Sequence, residues 1–373
     1  MENTRIGKSE AISFLITIMS NHAILNISKS IISTTSSSAL INTIYVSILA
    51  SILSYIIYLL LNTFPTFDIL DISNFLGRKT LKRIIGLLFG SYFIFFTATS
   101  LKNFVYCLQI IYYPNTNSFP LILFFFIGAF FVCNLKYNSI YRSNLIIVPF
   151  TILSIFFLFL GNLDNFSFEN IFPILGNGIN ETFLYGSSNL FAFQGIIYLL
   201  FLPPLLKDST QLKNISIISA LLSSIYLIVS IACILFLFNP QVSSTFLIPL
   251  YSSVRYIEFG TFFQRLDSVF ILIWIISFIS YLSLSINTCC TILKKTTKIQ
   301  SSKYSTLLVS FIMLLVTFIS FSYAFCTFLL EIVYKYSFFI ILVISLIILF
   351  LSYLLKNHRT KNLLIINRKK KFF

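Results

Sequence analysis

Charge is what this sequence has least of. Only 10% of its 373 residues are charged, against about 25% in an ordinary soluble domain. It holds eleven acids, two histidines and one tryptophan. No P-loop, GxSxG, HExxH or CxxC pattern occurs, so acid–base or metal chemistry has few groups to work with. Six cysteines, Cys107, Cys133, Cys233, Cys289, Cys290 and Cys326, lie within or at the ends of apolar stretches, without metal-ligand spacing. They read as small buried hydrophobes. These absences point away from an enzyme, and no catalytic residue, metal or cofactor is expected.

What is present is apolar and continuous. Ten stretches, 10–33, 40–62, 84–111, 119–136, 143–162, 183–206, 214–238, 266–290, 304–328 and 334–355, alternate with short loops. About 20 apolar residues cross the hydrocarbon core as a helix. Lipid leaves a closed barrel as the only other option, and unbroken apolar runs exclude the barrel's alternation. The expected fold class is an all-α polytopic membrane protein: a ten-helix transmembrane domain over 1–356 and a basic cytoplasmic tail over 357–373. The first run reads as a span rather than a cleavable leader, since no small-residue cleavage site follows it.

Basic residues mark every second loop. With the N-terminus inside, 21 of the 26 Lys and Arg fall on that side, and the other five are Lys29, Lys102, Arg255, Arg265 and Lys335. Asp164, Glu169, Glu181 and Glu331 fall on the other side. The positive-inside rule places both termini in the cytoplasm. The net charge of +15 is therefore topological rather than a nucleic-acid footprint, although the Arg368–Lys371 tail can also meet anionic lipid. In the first inside loop, Thr66–Arg83, apolar Ile69, Leu70, Ile72, Phe75 and Leu76 interleave with Asp68, Asp71, Asn74 and Arg78. This predicts a short amphipathic helix on the inner surface.

Ten spans divide into five plus five, and an odd half runs inverted. In such repeats, interrupted helices at matching positions mark the binding site. Span 1 breaks at Ser20-Asn21-His22, and span 6 at Gly186-Ser187-Ser188-Asn189 and again at Gln194-Gly195. Ser20 and Gln194 lie roughly 15–17 Å in from opposite faces, near the midplane. Freed N–H groups at such a break suit a carboxylate, and freed carbonyls suit an ammonium, so a zwitterionic amino acid fits both. The alternative reading of the same Asn, Ser and Gln residues is interhelical hydrogen-bond glue, and span 1 has no glycine at its break. His22 reads either as a functional group or as a neutral ring bonded to a neighbouring helix. Lys29 and Lys102 can snorkel outward and receive no role.

The outer loop between spans 7 and 8 is the densest polar region on its face. Arg255 and Glu258 are three apart, and Arg265 and Asp267 mark the entry to span 8, before Trp274. One reading is an interfacial helix capping the bundle. The other is an outer gate or a surface for an extracytoplasmic partner.

That stretch, with Arg255-Tyr-Ile-Glu258, Phe263-Gln-Arg265-Leu-Asp267 and Trp274, resembles the B subunit of nutrient receptors in bacterial endospores. These are the spore germination permeases of the amino acid–polyamine–organocation superfamily. Tyr113-Pro-Asn-Thr116 resembles that family's Leu-Pro-Asn-Thr-Pro loop, with Asn117 and Ser118 in place of the proline. Phe193-Gln-Gly195 followed by Pro203-Pro204 is similar to its span 6, where Gln194 replaces a commonly acidic residue. The resemblance implies a five-plus-five bundle with discontinuous helices 1 and 6, and a small nutrient, often an amino acid, held between spans 1, 3, 6 and 8. By position the lining would be Ser20, Asn21, His22, Ala23, Thr97, Phe193, Gln194, Gly195, Ser277 and Tyr281. It also implies a complex with an A subunit and a C-subunit lipoprotein in the spore inner membrane. The expected activity is sensing: ligand binding shifts a conformational equilibrium and passes it to the partners. A secondary amino acid transporter, or a channel or scaffold subunit without a nutrient site, are the alternatives.

Overall fold

Helix caps and proline positions set where the chain turns. The computed structural model describes residues 5–135, 137–257, 266–297, 299, 301–319 and 333–370; for 25, 26, 137, 138 and 357–370 only the backbone is described. Glu258 and Arg265, and the end of the ninth expected span, lie outside the described residues.

The first helix, α1 (Lys8–His22), begins where the Gly7 amide donates to the Glu10 carboxylate at 2.7 Å. It runs through a wide π turn (Ala23–Ile27) into α2 (Ser28–Thr35). The Ser28 hydroxyl donates to the Ala23 carbonyl, five residues back, at 3.0 Å, meeting an acceptor that the wide turn leaves loose. Ser20-Asn21-His22 is thus helical, and the irregularity begins at the next residue, Ala23. Without a glycine the chain widens rather than unwinds.

α3 (Ala39–Leu61) precedes α4 (Ile69–Tyr112), which Asp68 caps by accepting the Asp71 amide at 2.9 Å. Gly77 and Arg78 leave helical geometry, Arg78 at φ +58°, so the first two turns of α4 fold back on the bundle. Ile69, Leu70 and Ile72 are fully buried there. The amphipathic helix therefore docks its apolar face on protein rather than lying on the inner surface as expected. α5 (Ser118–Asn134) and α6 (Tyr137–Gly161) complete the first half.

The second half opens with a π turn (Asn180–Leu184) and a tightly wound 3₁₀ segment (Tyr185–Phe201). Gly186–Asn189 stays wound; the one non-helical residue is Phe193 (φ −98°, ψ 26°), beside Gln194-Gly195. Then come α7 (Leu212–Leu237) and two short helices started by proline, α8 (Pro240–Thr245) and α9 (Pro249–Arg255). α10 (Asp267–Thr296), α11 (Ser302–Phe318) and α12 (Tyr334–Lys370) follow.

Seven helical segments among the described residues are long and apolar enough to cross a membrane, and α5 and α11 are shorter apolar helices. Packing relates the two halves. α1 packs on α7 as the 185–201 segment packs on α3. α10 packs on α5 and α6 as α4 packs on α11 and α12, and α1 packs on α6 as 185–201 packs on α12. At the centre, α3 meets α7, α4 meets α10, and α1 meets 185–201. A repeat of an odd number of spans gives this exchange of partners with the second half inverted.

Candidate functional site

Polar side chains inside a membrane bundle are costly unless they bond across helices or serve a ligand. Both kinds meet where α1, α4, 185–201 and α10 converge. The Asn21 amide donates to the Thr17 carbonyl and to the Ser277 hydroxyl of α10, each at 2.9 Å. One turn earlier, Thr17 and Ser280 both donate to the Asn144 side-chain oxygen of α6, at 2.7 and 2.8 Å. These bonds lock α1, α6 and α10 together.

His22 sits beside this lock. Its ring lies 4.5 Å from the Phe96 ring and meets Tyr281 edge-on at 5.0 Å. His22 Nε2, Thr97 Oγ1 and the Tyr281 hydroxyl are buried without a hydrogen bond of normal geometry among the described residues, although the Thr97, Ser100 and Ser285 hydroxyls lie close enough to Tyr281 to interact with it. They come from three helices, α1, α4 and α10. Leaving such a group unpaired costs about 1–3 kcal/mol, a cost that a polar ligand at His22 Nε2 would offset.

The 185–201 segment closes the remaining side. Gln194 accepts from the Tyr92 hydroxyl at 3.3 Å, and Tyr198 and Ser285 share a bond of 3.1 Å. Phe193 is buried at the non-helical residue. Gly195 is a contact rather than an opening, because a Cβ there would come within 2.6 Å of Met19 Cγ. Ser20 turns its hydroxyl back to the Thr17 carbonyl at 3.5 Å, and Ala23 is the first residue of the π turn. The expected residues on α1, α4 and α10 thus gather in one place, with Gln194 reaching them through Tyr92. Tyr92, Phe96, Tyr198 and Asn144 were missed. The aromatics look like ordinary span filling, although Tyr92 and Phe96 are four apart on one face of α4 and Thr97 adjoins Phe96. Asn144 is an isolated amide at the edge of an apolar run.

Contacts among the described residues tie the helices together at both ends of the bundle. At the end opposite the basic face the buried Asp267 carboxylate accepts from Tyr251 of α9 at 2.9 Å and from Tyr112 of α4 at 3.3 Å. α9 is therefore a cap, while Arg255 at its end is exposed. At the basic face Lys295 pairs with Asp68 at 2.7 Å and with Asp71, and Lys82 pairs with Asp71 at 3.2 Å. Burial pushes the Asp68 carboxyl up to about 6, outweighing Lys295 beside it. Ile6 pairs its backbone with the chain after the 3₁₀ segment, donating to Leu205 at 2.7 Å and accepting from Lys207 at 3.0 Å. Arg142 meets Glu10 at 3.4 Å. No group of three or more His, Cys, Asp or Glu is placed to hold a metal among the described residues.

Known proteins resemble the chain in both fold and sequence. The structure titled as the inward-facing conformation of Mhp1 superposes with a TM-score of 0.58 at 13% identity, covering 95% of this chain and 78% of that one. A manganese transporter of Eremococcus coleocola superposes with a TM-score of 0.51 at 15% identity, covering 92% and 77%. At such identities the likeness is one of fold, that of amino acid–polyamine–organocation-type transporters. In sequence, GerQB of Bacillus cereus, named as a spore germination protein, is 23% identical over 63% of this chain. YfkT of Bacillus subtilis (strain 168), provisionally named as one, is 27% identical over 52%. The matches span 65% and 53% of those relatives' lengths. The family described as spore germination protein, a spore permease family, matches residues 5–326. This integral membrane chain belongs to the spore germination protein family.

Proposed function

We propose that this protein is the membrane-embedded nutrient-binding subunit of a spore germinant receptor. The single observation that carries the reading is His22 Nε2, buried with no hydrogen-bond partner among the described residues, on a ring that stands edge-on to Tyr281, whose hydroxyl lies beside Thr97. A small nutrient, an amino acid in the first instance, binds there between spans 1, 3, 6 and 8. Asn21, Ser277, Gln194 and Gly195 hold the walls. His22, Thr97 and Tyr281 are buried, so entry needs the helices around them to part, and ligand binding is tied to a change in bundle shape. A ligand that binds two shapes unequally shifts their balance. The shift passes to an A subunit and a C-subunit lipoprotein in the spore inner membrane, with both termini cytoplasmic.

The test is equilibrium binding of candidate amino acids to the purified full-length chain, alongside germination assays on spores lacking the gene. The reading expects saturable binding and loss of the response to one nutrient class, with non-nutrient triggers intact. Unchanged nutrient responses in spores without redundant receptors would overturn it. Sustained uptake by proteoliposomes holding this chain alone would instead establish a transporter.

A further inference from the structure

A second concave surface lies at the basic face, apart from the central site. A cavity of about 590 Å³ opens between α4, α10 and α11. Its α4 wall includes Arg83, Gly86, Gly90 and Ile94, spaced along one helical face. From Arg83 to Ile94 is eleven residues, roughly 16 Å along the axis. The facing walls include Ile292 of α10 and Val309 and Ile312 of α11.

The lining is graded in polarity. Arg83, Thr296 and Thr297 stand at the basic-face end. Deeper in, the wall is aliphatic apart from the Cys289 thiol and Ser91, whose hydroxyl is turned back to the Leu88 carbonyl at 3.0 Å. Ile84 and Leu87 beside the groove are 62% and 75% exposed, so it opens toward hydrocarbon rather than water. Two glycines shape it differently. At Gly86 a Cβ would come within 2.1 Å of Thr296 Cγ2, so this glycine lets α4 approach α10. At Gly90 a Cβ would meet only Ile292 Cγ2, at 3.8 Å, so the missing side chain is what keeps the groove open.

We propose that this groove binds an anionic phospholipid from the leaflet at the basic face, with its phosphate on the Arg83 guanidinium and one acyl chain along α4 toward Ile94. The occupant follows from the gradient and from charge complementarity. An aliphatic slot open to the bilayer takes a chain, and a guanidinium at its headgroup end takes a phosphate through paired hydrogen bonds. Exposed Arg78 and Lys79 just before Arg83 add positive potential there, as in basic pockets that select anionic headgroups. A zwitterionic headgroup also offers a phosphate, but its ammonium would sit in the same positive potential, so the anionic headgroup is preferred.

Thermal unfolding of the purified full-length chain in neutral detergent tests the proposal, with phosphatidylglycerol or phosphatidylcholine of matched chains added. Phosphatidylglycerol should raise the midpoint, and phosphatidylcholine at equal concentration should raise it less. Arg83→Ala should abolish that difference. Gly90→Leu, which fills the groove where there is room, should abolish the response to both lipids. Lys207→Ala, an exposed basic residue elsewhere on the same face, should respond as the wild type does. Equal response of the wild type to the two lipids, or none, overturns the proposal. So does a normal response in Gly90→Leu, an Arg83-sized loss in Lys207→Ala, or a midpoint rise with inorganic phosphate alone.

Discussion

The His22 ring meets the Tyr281 ring edge-on at 5.0 Å, and each carries a polar atom outside any hydrogen bond of normal geometry among the described residues. Two helices from opposite halves thus face each other through these groups in the middle of an apolar bundle. Tyr281→Phe removes one such hydroxyl while keeping the ring. It should leave the thermal midpoint unchanged or higher, because the lost group has no hydrogen bond of normal geometry to break. If the hydroxyl holds the nutrient, the same variant should weaken binding by about 2- to 12-fold, the worth of one hydrogen bond at 0.5–1.5 kcal/mol. A fall in stability with binding intact would show the hydroxyl to be structural.

The neighbouring pair should behave in the reverse order. Asn21 donates to Thr17 and to Ser277, so Asn21→Ala breaks real bonds. A loss of about 1 kcal/mol is expected, near the range for interhelical polar contacts in membranes. Ser277→Ala should cost less, because Asn21 retains the Thr17 carbonyl. Unfolding of the purified variants in detergent ranks them, and a larger loss for Ser277→Ala would contradict the assigned geometry.

Gly195 supplies a test of packing. Gly195→Val places atoms against Met19 and should destabilise the protein by about 1–3 kcal/mol, the usual cost of overpacking. Met19→Ala vacates that space, so the double variant should recover most of the loss. A double-mutant cycle measures the coupling. Additive effects would mean that the two residues do not touch.

Asp68 gives a pH dependence with a definite sign. Its carboxyl is held up at about 6 by burial, against about 3.9 in an unfolded chain. The folded form therefore binds this proton more tightly. Its contribution to stability is full below about pH 4 and is lost as the pH rises toward 6. Asp68→Asn cannot ionise and still caps α4, so stability across that interval should flatten. Asp68→Ala also loses the cap and should cost about 0.5–2 kcal/mol more than Asp68→Asn. Melting curves from pH 4 to 7 read both effects.

Fold and site differ in how far they could be read from the chain. Hydropathy alone marks out the helices, because lipid forces every backbone group into a helix. The weak points in the two broken helices were found to within a turn: Gln194-Gly195 adjoins the non-helical Phe193, and His22 adjoins the π turn. What could not be read is which aromatic faces inward. Tyr92 and Phe96 are chemically indistinguishable in sequence from the tyrosines and phenylalanines that face lipid, and only helix packing separates them. The docked segment 69–76 failed for a related reason. An amphipathic face looks the same whether protein or membrane covers it.

The wide turn at Ala23–Ile27 is a phase shift. Adding one residue to a helical turn rotates everything beyond it by about 100°. Before it α1 is buried on every side from Ser13 to His22, whereas beyond it Ser28, Ile31, Ile32 and Thr35 are buried and Ser33 is exposed. The two ends of one rod are thereby keyed to different neighbours. Deleting a single residue within the turn would rotate α2 by the same angle against the neighbours it now packs on, so the imperfection sets which face of α2 is buried.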